Sequence, residues 1–162
     1  MSKALFSFFF VSILLVGCFP FGATPPSCAV SSDTPEQTLT GTWQGKMLQP
    51  GGPYESYIAV MWLAQDGKNV TGVTRVWTPD GRLFGDIRLE GCTSGNELRF
   101  ADVELLDDNL PPWLGWCDKT ASLSIDAHAD RLTGAWHAGG CAPGTFDLHR
   151  VADHPRVILP GR

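Results

Sequence analysis

Cysteine and tryptophan are the residues in this 162-residue chain whose chemistry is worth tracing first. Five cysteines, Cys18, Cys28, Cys92, Cys117 and Cys141, are an odd number for a secreted protein, so one needs a separate use. No two have the CxxC spacing of a metal clip, and no metal or other cofactor is expected. Nucleophile elbows, phosphate loops, HExxH pairs and dinucleotide fingerprints are missing, so catalysis is not expected. Asp107 and Asp108 are adjacent in a polar stretch, where carboxylates are ordinarily solvated. The richer signal is aromatic. Trp77, Trp113, Trp116 and Trp136, with Tyr54 and Tyr57, all fall near the ends of apolar runs or in the connections between them. Aromatic walls with a few polar groups suit a small-molecule pocket or a protein-binding rim.

These residues must be positioned by strands. After Leu39 the chain breaks into short apolar runs separated by turn residues, without a stretch of helical period. Eight strands are expected, at 39–47, 55–65, 68–78, 82–91, 97–105, 116–126, 131–138 and 144–151. Gln65-Asp66-Gly67-Lys68, Thr93-Ser94-Gly95-Asn96 and Ala127-His128-Ala129-Asp130 read as tight hairpins. The remaining connections are longer, and four of the six tryptophans fall in them or at the adjoining strand ends. Since each strand reverses direction, tight turns gather at one end and long loops at the other. Eight alternating strands then close as an antiparallel up-and-down barrel, an all-β fold.

Parity assigns faces. Strand four should bury Leu83, Gly85, Ile87 and Leu89 and offer Asp86, Arg88 and Glu90 to water. Strand six should bury Ala121, Leu123 and Ile125. Strand two, Tyr57 to Leu63, is apolar on both faces, so its outer face is either covered by the preceding segment or exposed to a partner. Pairing Leu123 with Ala135 puts Cys117 opposite Cys141, a disulfide, and the register of the following hairpin puts His149 opposite about Thr133, away from His137. Cys92 lies at the tight-turn end, where Cys28 can reach it.

The N-terminal stretch supplies the address. Lys3 precedes thirteen uncharged residues, Ala4 to Val16, too short to span a bilayer but suited to an export signal. The following Leu15-Val16-Gly17-Cys18 resembles the lipobox of bacterial lipoproteins. That resemblance implies cleavage before Cys18, a diacylglycerol and further acyl chains on it, and a partnership with a membrane through the lipid. Phe19, rather than Asp, follows Cys18, which by resemblance to Gram-negative lipoproteins favours the outer membrane. With Cys18 lipidated, four cysteines remain for two disulfides, as an oxidising compartment permits. The expected organisation is signal peptide 1–17, Pro/Ser/Thr-rich tether 18–38, barrel 39–151 and tail 152–162. Losing Lys3 takes the formal charge from −5 to −6, which argues against nucleic acid as a partner.

Gly41-Thr42-Trp43 resembles the GxW signature of the lipocalins. The resemblance implies that Trp43 plugs the closed end of the barrel while Arg150 packs over it. Leu39-Thr40-Gly41-Thr42-Trp43 and Leu132-Thr133-Gly134-Ala135-Trp136 also look like avidin-type strand texture. The tail is too short and proline-broken for the C-terminal helix of typical lipocalins, and no particular ligand is carried over. Two functional expectations follow for an envelope lipoprotein: a barrel mouth that binds a small apolar or aromatic ligand, or a module that binds an envelope protein, such as a protease or lysozyme inhibitor. Interior volume separates them. An open barrel favours the ligand, and a filled barrel with a protruding Pro111-Pro112-Trp113 loop favours the protein.

Overall fold

The computed structural model describes residues 38–151 and Pro26. The expected signal, most of the tether, Cys18, Cys28 and the tail lie outside them. Eight antiparallel strands run β1 (Gly41–Leu48), β2 (Ser56–Asp66), β3 (Asn69–Trp77), β4 (Phe84–Ser94), β5 (Glu97–Asp108), β6 (Lys119–Asp126), β7 (Arg131–Ala138) and β8 (Gly144–Val151). Each pairs with the next, and β8 returns to β1, so the sheet closes.

Inward parity builds one core. Trp43, Met61, Leu89, Leu98, Phe100, Leu123, Trp136, Phe146 and Leu148 are buried together inside the barrel. Burying a side chain of this size contributes about 1.5–3 kcal/mol. At the tight-turn end the Arg150 guanidinium stacks 4.3 Å from the Trp43 ring centre. Arg150 also donates to the Thr40 and Thr38 carbonyls at 2.9 and 2.5 Å, and Trp43 Nε1 donates to Leu39 O at 2.9 Å. One cation therefore ties the entering chain to the last strand.

Several expectations need correction. Leu123 faces Gly134, not Ala135, so the β6–β7 register differs by one residue from that expected. At Gly134 the β6 backbone approaches so closely that an added Cβ would come within 2.1 Å of the Ser122 carbonyl oxygen, and its neighbour Ala135 is exposed. In the β7–β8 hairpin His149 faces Arg131 rather than Thr133, two residues from the expected register. Asp86 is buried rather than offered to water, because Arg75 on β3 clasps both its carboxylate oxygens. That guanidinium lies 5.8 Å from the Trp77 ring and 5.3 Å from Phe84, which shield the pair. Leu83 stays half-buried in the β3–β4 turn instead of the strand, bonded to Thr78. On the outer face of β2, Val60 is buried, Trp62 half-buried and Ile58 exposed.

The largest departure is at one seam. β5 extends three residues past its expected end and β6 starts three residues late. Cys117 consequently sits in the connection, not in a strand. It is nevertheless bonded to Cys141, with the two Cα atoms 6.2 Å apart.

Candidate functional site

The long-loop end is roofed by the β5–β6 connection, residues 109–118. Asn109 fastens its start: its amide group accepts from Phe84 N at 2.7 Å and donates to Arg82 O at 2.8 Å. The Cys117–Cys141 bond fastens its end to the β7–β8 loop. Between these ties, Leu110, Leu114 and Trp116 turn down into the mouth. The Trp116 ring lies over Gly85, where an added Cβ would come within 2.8 Å of the ring.

Beneath that roof remains a cavity of about 70 Å³, bordered by Met47, Tyr57, Val76, Trp116, Lys119 and Trp136, among others. That is room for about two water molecules. Small-molecule pockets run from about 300 Å³ upward. The barrel is filled by its own side chains. Outside, Pro26 and the wall residues Arg99, Thr120, Ser122, Ala135 and His137 border a separate hollow of about 340 Å³.

The expected mouth residues do not all meet. Trp116, Trp136 and Tyr57 border the cavity, and Tyr54 packs edge-on against Tyr57 with centroids 5.8 Å apart. Trp77 does not join them. Its neighbour Val76 has the inward parity, so Trp77 lies on the outer wall beside Ile58, Phe84 and Arg75. Trp113 is 77% exposed at the crest of the roof. Leu114 N donates to Pro111 O at 2.9 Å, closing a turn in which Pro112 presets the backbone one residue before Trp113.

Two decisive residues were not anticipated. Lys119 and Asp102 are 2% and 1% exposed and form an ion pair of 2.7 Å inside the barrel. Lys119 Nζ also donates to Cys117 O at 3.1 Å and sits 4.0 Å over the Trp116 ring. The Asp102 carboxylate further accepts from the backbone N–H of Lys119 at 3.1 Å. Their parity was readable: Lys119 shares its face with Ala121, Leu123 and Ile125, and Asp102 with Leu98 and Phe100. Asp102 Oδ1 and the indole nitrogens of Trp116 and Trp136 are buried without a hydrogen-bond partner. Burial also raises the Tyr57 phenol above its ordinary pKa, more than its contact with the Tyr54 backbone lowers it.

Nothing in this arrangement sets a nucleophile beside a base. Among the described residues no three His, Cys, Asp or Glu side chains converge as a metal site requires. Cys92 is disulfide-bonded, and Cys28, its expected partner, lies outside the described residues. No protein-family model matches the chain, and no curated protein is similar to it.

Proposed function

We propose that this is a non-catalytic envelope lipoprotein whose barrel is a rigid stand presenting the β5–β6 connection to a partner protein. One observation carries the reading: a tryptophan 77% exposed on a proline-braced turn, above a mouth cavity of only about 70 Å³. Tryptophan is among the residues that most often anchor protein interfaces. A side chain held in water on a short, ordered turn forgoes burial in its own fold, and a partner's cleft would restore it.

The anchor rests on the sequence, through Leu15-Val16-Gly17-Cys18. Thr38 and Leu39 lie against Arg150 and Trp43 at the tight-turn end, so a lipid on Cys18 would leave Trp113 facing away from the membrane. The small-ligand reading draws support from the unpartnered indole nitrogens of Trp116 and Trp136 beside the cavity. A guest larger than a few atoms would have to displace Trp116 and Leu114.

Placing a photo-crosslinking residue at position 113, and separately at exposed Ser122 on the outer face of β6, distinguishes these readings in the native envelope. A discrete protein adduct at 113 and none at 122 is expected. No adduct at 113, with a small molecule retained by the purified protein in native mass spectrometry, would overturn the partner reading in favour of the ligand.

A further inference from the structure

A closed barrel normally leaves no strand edge free, yet this one does. The β4–β5 ladder runs from Ser94 opposite Glu97 to Gly85 opposite Asp108, whereas the β5–β6 ladder stops at Ala101 opposite Thr120. Among the described residues, no backbone hydrogen bond joins 103–108 to any segment but β4. The cause is visible in the side chains. Asp102 takes the Lys119 backbone N–H with its carboxylate, replacing the next rung of the ladder, and holds the Lys119 amine as well. The chain before Lys119 is meanwhile drawn across the mouth by the Cys117–Cys141 bond.

We infer that this edge of β5, residues 103–108, is a docking site for an extended, cationic segment of the partner protein. The inference deepens the partner reading above and rests on it. Added strands are recognised by backbone hydrogen bonds, with side chains setting specificity. Here the edge is six residues long, and Leu105 and Leu106 are 40% and 48% exposed. It continues directly into the connection that carries Trp113, so one partner segment could engage both.

Charge selects the occupant. Glu104 pairs with Arg88 at 2.9 Å, Asp108 accepts from Leu110 N at 2.8 Å and Asp107 is near enough to act on the Arg75 charge, but neither aspartate has a cationic nitrogen in direct contact among the described residues. A second copy is a poor occupant: antiparallel self-pairing about Leu105 and Leu106 sets Glu104 opposite Asp107, and like charges so placed destabilise a ladder. Bulges fall where the β4 register shifts, beside Val103 and Leu106. Bulges and charges of this kind protect edges from unselective pairing. A strand alternating Lys or Arg with apolar residues satisfies the same edge without repulsion.

The test is hydrogen exchange of residues 103–108 in the full-length, lipid-anchored protein, read by mass spectrometry. The probes are a six-residue alternating Lys–Val peptide, its Glu–Val counterpart, and a Lys–Val peptide interrupted by proline. The Lys–Val peptide should slow exchange at this segment on the order of ten-fold, and the other two should not. Asp107→Lys with Asp108→Lys should transfer the preference to the Glu–Val peptide. No slowing with Lys–Val, or a preference unmoved by the charge reversal, overturns the inference. A crosslink at position 113 with no slowing at 103–108 would overturn strand docking alone and leave the partner reading standing.

Discussion

Lys119 has the most demanding environment of any residue here. An ammonium and a carboxylate taken out of water repay their desolvation only when both remain, so removing one member of such a pair costs about 3–5 kcal/mol. Lys119→Met should therefore destabilise the protein by about that much, because Asp102 stays buried with nothing to neutralise it. Combining it with Asp102→Asn should recover a substantial part, since the amide keeps an acceptor for the Lys119 backbone N–H without the charge. Urea unfolding of the three proteins checks this; a double variant no more stable than the single would show that the unpaired carboxylate is not the source of the loss. The pair also explains why parity alone was insufficient. Asp102 and Lys119 fall inside the strands expected at 97–105 and 116–126, where alternation marks the inward face but not the partner, and the interior that pairs them exists only once β5 and β6 lie side by side.

At the scale of elements, seams between strands are fastened by different means. The Cys117–Cys141 bond closes a separation of 24 residues and holds the roof on the mouth. In the chain-entropy model, Cys117→Ser with Cys141→Ser should cost about 3 kcal/mol in urea unfolding. A loss under about 1 kcal/mol would mean that Asn109 and the Trp116 packing already hold the connection.

Two other seams use exposed carboxylates. Hydrogen bonds from Arg131 on β7 hold the Asp147 carboxyl of β8 below its ordinary pKa. The Ser122 hydroxyl of β6, then Arg99, do the same for Glu97 of β5. A depressed carboxyl in the fold means that the unfolded chain binds protons more readily. The stability it contributes is complete above the ordinary carboxyl value, about pH 4, and is lost as pH falls below it. Urea midpoints should thus be flat near neutrality and decline below about pH 4, with Arg131→Gln removing part of that decline. Solvent screens both pairs, so the decline is expected to be modest. The hairpins themselves were legible from their Gly and Asp turns. The β5–β6 mismatch was not, because strand ends in that region depend on Asp102 capping the neighbouring strand rather than on local propensity.

As a whole, the molecule has two unlike ends. The tight-turn end is closed by Trp43 and Arg150 and receives the entering chain. The other end carries a roof, an exposed tryptophan and an unpaired strand edge. Trp113 contributes almost nothing to packing, so Trp113→Ser should leave stability within about 0.5 kcal/mol. The same change should abolish partner capture by a crosslinker placed at exposed Gly115, where an added side chain meets open space. A large loss of stability would show that Trp113 packs in the protein's own fold and would remove it as an interface anchor.

Period-two alternation and turn residues are local properties, which is why the amino-acid order alone was enough for eight strands and their antiparallel succession; the Cys117–Cys141 bond was expected through a register one residue off and forms instead where two loops meet at the mouth. Face and volume are collective. Whether Trp77 looks outward, whether Gly134 rather than Ala135 points in, and whether Trp116 and Trp136 line a wide cavity or fill it depend on how eight strands share one interior. Each inward side chain takes its space from neighbours on other strands, and only the closed barrel sets that competition.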